Sequence, residues 1–186
     1  VVGCPKLDRW HGFHKGRSEP PTVAFAHHWE QRIYPETRSA WPWDAEAWER
    51  VIASGRYTML GHKHPGDPRD IEGWCREHGV EFVSRFDEIM ERADLFVADN
   101  TSTLYEFAAT DRPVVVLSPP WYRRDVHHGV RFWEHIPGVE CAVPEHLEAC
   151  IEEALEDMPA RRLIREQAVQ GPIDRSDGLL PYQSPG

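Results

Sequence analysis

The sequence predicts an α/β fold, a doubly wound, Rossmann-like parallel sheet of about five or six strands. Three observations carry that prediction. Short apolar runs such as Leu95–Ala98 and Val114–Leu117 lack the alternation of a half-solvated strand, so they read as strands covered on both faces. Stretches with helical spacing and stop signals separate these runs along the chain. Polar or histidine-rich turns follow the runs at their carboxyl ends, which is where open α/β sheets hold ligands.

Taken in order, the chain begins with a strand-like Val1-Val2 running into a Gly3-Cys4-Pro5 turn, and no methionine precedes it, so a fragment is expected. Residues 9–21 lack periodicity and read as a loop. Thr22 to Ala26 is the first clear strand, and it ends in His27, His28 and Trp29. The long connection that follows holds Pro35, Trp41, Pro42 and Trp43, and loops of that length in compact domains often carry function. Asp44 suits the N-cap of a helix running through Ser54, with Ala47, Trp48, Val51 and Ile52 inward and Gly55 as its stop. A strand over Tyr57 to Leu60 then ends in Gly61-His62-Lys63-His64-Pro65. A helix over 68–78 closed by Gly79, a short strand over 80–84 and a helix over 86–93 deliver the chain to its central unit.

That unit runs from Asp94 to Leu117 and reads as strand, polar turn, helix, turn and strand. Thr101, Ser102 and Thr103 offer capping hydroxyls, and Leu104, Phe107 and Ala108 recur at helical spacing. Such a turn exposes backbone N–H groups at a helix start, which favours an anionic group such as a diphosphate. Glu106 lies one turn further in, within reach of a sugar hydroxyl. The same pattern also describes an ordinary capped helix that binds nothing. After it come a proline-rich loop over 118–125 with Arg123 and Arg124, a segment with Phe132 and Trp133, and a last strand over 139–143. A helix over 144–157 follows, with Leu147, Ile151 and Leu155 at four-residue spacing, and then another over 160–169. One domain spanning 1–170 and a Pro/Gly-rich tail over 171–186 are expected.

Composition narrows the function classes. The 186 residues carry 21 basic and 31 acidic side chains, a net charge of −10, which argues against a sequence-independent grip on nucleic acid or an anionic membrane. No apolar run approaches the roughly 20 residues of a membrane span. A cytoplasmic protein is expected, with any membrane association peripheral and made through parts outside this chain. Cys4, Cys75, Cys141 and Cys150 show no Cys-x-x-Cys spacing, so reduced thiols are expected. Among eleven histidines the best metal candidate is His62 with His64, two apart on a strand. Only Asp99 offers an obvious supporting carboxylate, and no metal is assigned. For the tryptophans of the loops and for Arg123 and Arg124, packing and solvated surface are the favoured roles over base stacking and phosphate binding. No Gly-x-Gly-x-x-Gly follows the first strand, which argues against a dinucleotide-dependent dehydrogenase.

An ordered set of blocks carries a resemblance to a known family. Gly3, Pro5 and Asp8 come first, then Pro21 to Ala26, His64-Pro65, Phe86 to Asp94, Asp99 to Glu106, and Arg112 to Val116. Their order and spacing resemble the carboxyl-terminal half of the CDP-glycerol glycerophosphotransferases of teichoic acid synthesis. More broadly they are similar to the donor-binding half of GT-B glycosyltransferases. The resemblance implies one half of a GT-B fold that binds a nucleotide-diphosphate donor such as a CDP or UDP compound. It implies transfer to an acceptor hydroxyl, a missing amino-terminal half as partner, and no separate cofactor. It places His64 at the donor phosphates, Asn100, Thr101, Ser102 and Thr103 at the diphosphate, and Glu106 at the ribose. The general base is expected from the missing half or from His27 and His28. Asn100 and Thr101 stand where the family has Tyr and Ser, and His27-His28-Trp29 where it has Pro-Thr and a basic residue. A sugar 2-epimerase-type isomerase of the same fold and a non-catalytic nucleotide-binding or assembly module are the alternatives.

Overall fold

The computed structural model describes residues 10, 13, 15–30, 38–122, 124, 136–157 and 162–166. Strands β1 (Thr22–His27), β2 (Thr58–Lys63), β3 (Glu81–Phe82), β4 (Leu95–Ala98), β5 (Val114–Leu117) and β6 (Val139–Cys141) form one sheet in the order β3-β2-β1-β4-β5-β6. Every pairing is parallel. This confirms the predicted architecture. The chain builds outward from β1 to β3, then returns to lay β4 against the other side of β1. The strand order therefore reverses between β1 and β4, which opens a crevice beyond their carboxyl ends.

Parallel connections need crossovers, and four of them carry a helix, α1 (Ala45–Ala53), α2 (Ile71–Glu77), α3 (Phe86–Arg92) and α4 (Thr103–Ala108), while α5 (Leu147–Glu156) follows β6. One face of the sheet, with Val23, Phe25, Leu95, Val97, Val115 and Leu117, is covered by α1, α2 and α5. The other face, with Ala24, Ala26, Phe96, Ala98, Val114 and Val116, is covered by α3 and α4. This two-sided covering is why the central strands read as unbroken apolar runs. Phe25 stacks on Trp48 with centroids 4.6 Å apart, fixing α1 to the middle of the sheet. Gly61 lets α2 approach β2, since a Cβ there would fall 2.4 Å from the Cys75 sulfur.

Boundaries depart from the sequence reading in several places, among them β3, which spans only Glu81–Phe82. β2 runs to Lys63 rather than ending at Leu60, because Gly61 and His62 pair in register with Phe25 and Ala26. α2 starts at Ile71 rather than Pro68, since Asp67 and Arg69 are held in the preceding loop and Asp70 provides the cap, accepting the Gly73 N–H at 2.8 Å. Pro144–His146 is a 3₁₀ turn that leads into α5, and β6 stops at Cys141. Residues 162–166 are helical, within the helix expected over 160–169. The amino-terminal Val1-Val2 pair, Arg123, Phe132, Trp133 and the tail over 171–186 lie outside the described residues.

Candidate functional site

A cavity of about 520 Å³ lies at the carboxyl end of the sheet, at the β1/β4 switch point. His28 and Trp29 from the loop after β1, His62 and His64 from β2 and its following turn, and Asn100 to Thr103 after β4 line it. Residues 33 to 75 positions apart in the sequence thus meet through strand order alone.

The β4 turn presents donors. The Thr101 N–H is held by the Asp99 carbonyl at 2.8 Å, while the N–H groups of Ser102 and Thr103 donate to no group among the described residues. Ser102 is the N-cap, yet its side chain makes no capping bond, and the Thr101 and Thr103 hydroxyls face each other at 3.0 Å. The expected hydroxyl cap is absent at Ser102, because the residue sits in helical backbone geometry and not in the extended geometry that aims a hydroxyl at the helix.

His64 stands on the opposite wall, exposed, with its ring near-parallel to Trp29 at 6.1 Å. Its Nδ1 accepts the Gly66 N–H at 3.0 Å, an assignment that leaves Nε2 as the N–H of the neutral ring. His64 is therefore built to donate.

His27 and His28 part company. Alternation along β1 puts the His27 ring on the same side of the sheet as Phe25, with the ring centroids 5.9 Å apart. Its Nε2 meets Asp44 Oδ2 at 2.8 Å, the same oxygen accepts Trp48 Nε1 at 2.6 Å, and both residues are buried. Burial works against a charged imidazole, but the Asp44 carboxylate outweighs it and raises His27 above its ordinary value. His27 borders the cavity as expected, and its ring is held in a buried pair with Asp44. Asp44, expected as a helix cap, makes no capping bond, and its Oδ2 takes both the His27 ring and the Trp48 indole instead. His28 remains on the cavity wall, with Nδ1–H donating to the Trp29 carbonyl at 2.7 Å.

Glu106 is half-buried one turn into α4 and is not among the residues lining the cavity. Ser118 to Tyr122, in the loop that leaves the carboxyl end of β5, do not line it either. Arg124 pairs with Glu140 and Ser118, and Trp121 packs edge-on to Trp43 at 6.0 Å, in keeping with structural roles. His127 and His128 fall outside the described residues.

Asp99 and Arg69 shape the wall in roles that the sequence pattern does not assign. Asp99 is fully buried and accepts the His28 N–H at 2.6 Å and the Ala40 N–H at 2.8 Å. Burial pushes its carboxyl up, against the pull of His27 and of those two N–H groups. Arg69 donates to the His28 carbonyl at 2.6 Å and to Ser39 Oγ at 2.8 Å, while its Nε grips Asp67 at 2.8 Å. The Asp67-Pro68-Arg69 spacing carries no motif, and only the fold brings Arg69 to His28. The loop carrying His28 and Trp29 is thus held from both sides.

A six-stranded parallel sheet of this order, with a cavity at its switch point, defines an α/β unit of Rossmann-like fold. The comparisons name the family. The profile of CDP-glycerol:poly(glycerophosphate) glycerophosphotransferase matches residues 12–178, and the chain belongs to that family. Among solved structures, the wall teichoic acid polymerase TagF is similar at TM-score 0.57 and 13% identity, over 90% of this chain and 43% of that one. TarM follows at 0.51 and 15% identity, over 86% and 33%. The α,α-trehalose 6-phosphate synthase of Burkholderia multivorans follows at 0.54 and 11%, over 83% and 40%. At these identities the likeness is one of fold. The chain spans less than half the length of these structures. No curated protein sequence matches it. The family is one of transferases, so the isomerase alternative is not favoured. Among the described residues no helix is long and apolar enough to cross a membrane.

Proposed function

We propose that this chain is the donor-binding half of a GT-B transferase that takes a nucleoside-diphosphate alditol or sugar, CDP-glycerol-like, and passes its activated group to an acceptor hydroxyl. The observation that carries the reading is that His64, Ser102 and Thr103 line one cavity, with the Ser102 and Thr103 N–H groups donating to no group among the described residues. In it the diphosphate lies between them. The two backbone donors and the His64 Nε2–H offset the charge that grows on the leaving phosphate as the acceptor attacks. Family membership supports the same reaction class. The second half of the enzyme, the amino-terminal GT-B domain, brings the acceptor. The base comes from that half or from His28, which keeps its place on the wall. Glu106 reaches the ribose from α4 once the donor is seated.

Calorimetric titration of the folded chain with CDP, UDP and GDP tests this. Heat of binding with at least one diphosphate, and no turnover of CDP-glycerol by this chain alone, is the expected result. A folded sample that gives no heat with any of the three removes the donor site.

A further inference from the structure

His62 is the cavity residue whose chemistry the donor reading leaves unused. It lies on β2 opposite Ala26, is 7% exposed, and packs on Phe86 with centroids 5.7 Å apart. Its Nδ1 is 2.8 Å from the Val83 carbonyl. A carbonyl only accepts, so Nδ1 carries the proton, and in the neutral ring Nε2 is left with a lone pair. That nitrogen has no partner among the described residues, although the residue lines the cavity. Burial and the neighbouring His64 both hold His62 below its ordinary value, so the ring stays neutral near pH 7. The two histidines of this wall therefore have opposite polarity. His64 accepts at Nδ1 and donates from Nε2, whereas His62 donates from Nδ1 and accepts at Nε2.

We propose that His62 reads a hydroxyl of the group carried on the diphosphate, accepting its hydrogen bond at Nε2. An acceptor cannot serve a phosphate oxygen, which has no proton to give at neutral pH, so its natural partner in this cavity is a polyol O–H. The proposal rests on the donor reading above. It assigns a division of labour: His64 and the β4 turn hold the charged part, and His62 distinguishes a hydroxyl-bearing donor from a bare nucleotide. An alditol and a sugar ring both offer such a hydroxyl, and the choice of probe separates them.

The test uses His62→Asn, since the Asn amide can occupy the position of Cγ and Nδ1 and still donate to Val83 while the Nε2 acceptor is deleted. Calorimetry compares CDP-glycerol with CDP, and UDP-glucose with UDP. Wild type should favour at least one hydroxyl-bearing donor over its bare nucleotide by roughly three- to tenfold, the span of a neutral hydrogen bond. In His62→Asn that margin should vanish, while affinity for CDP and UDP stays within about twofold. Preference for CDP-glycerol alone marks an alditol, and preference for UDP-glucose alone marks a sugar. Binding of CDP or UDP without any margin in wild type, or an undiminished margin in His62→Asn, overturns the proposal and leaves the donor site standing. Absence of binding by all four probes overturns the donor site and this proposal with it. Should His62→Asn not fold, nitrogen-15 NMR of the histidine rings in wild type decides. Protonated Nδ1 and bare Nε2 at His62, with Nε2 moving on CDP-glycerol or UDP-glucose but not on CDP or UDP, is the expected signature. A proton on Nε2 overturns the assignment.

Discussion

Arg69 donates from Nη2 to the main-chain carbonyl of His28 at 2.6 Å, so a residue beyond β2 holds the loop that leaves β1. The same guanidinium pairs with Asp67, whose side chain is 1% exposed. Removing the arginine strands a buried carboxylate and releases the loop together.

Arg69→Ala should therefore lower stability by about 3 kcal/mol, the scale for breaking one side of a buried pair. Arg69→Lys should recover little of it, since an ammonium cannot reproduce contacts that diverge from a planar fork. Urea unfolding measures both variants. A loss below about 0.5 kcal/mol in Arg69→Ala, the range of ordinary surface changes, would show that the clamp holds nothing.

His27 gives stability a dependence on pH whose sign follows from its partner. Asp44 raises the folded value above the ordinary 6.5 despite burial, so the folded chain binds the proton more tightly than the unfolded chain. The pair's contribution is complete below pH 6.5 and fades as pH rises through the folded value. Unfolding free energies of wild type and His27→Gln, measured from pH 6 to pH 9, should converge as pH rises. A gap that widens with pH would contradict the assigned charge on His27.

Much of this was legible in the sequence, for identifiable reasons. β4 and β5 were bounded to the residue because both are short, buried on two faces and closed by polar turns. The order of the strands was not legible, since the periodicity of a run records which faces are covered and not which neighbour covers the edge. His64 and the β4 turn could be found because a strand end followed by a turn is a local signal. Arg69 and Asp99 could not, because what they do is tie together backbone groups 28 to 71 residues away. His27 shows the limit of the same local logic. Being at a strand end puts a residue near the crevice, and only its parity along β1 says which face receives its ring.

Glu106 supplies a prediction in which shape is kept and charge removed. A carboxylate on the ribose accepts from two vicinal hydroxyls, and Glu106→Gln loses the charge-assisted part of that grip. Affinities of wild type and Glu106→Gln for CDP and for its 2′,3′-dideoxy analogue decide the matter. Wild type should prefer CDP, and the variant should lose most of the preference while still binding the diphosphate. Equal discrimination by both proteins would take Glu106 out of the site.

The most direct test is a titration of wild type, His64→Ala and His78→Ala with CDP. His64 lines the cavity together with Ser102 and Thr103, whereas His78 ends α2 with Nδ1–H bonded to the Trp74 carbonyl at 2.8 Å and does not line it. If the diphosphate sits at the switch point, His64→Ala should weaken CDP by roughly 1.5–3 kcal/mol, the worth of a hydrogen bond to a charged group, and His78→Ala should leave it unchanged. Equal affinity for CDP in wild type and in folded His64→Ala would contradict the placement of the donor.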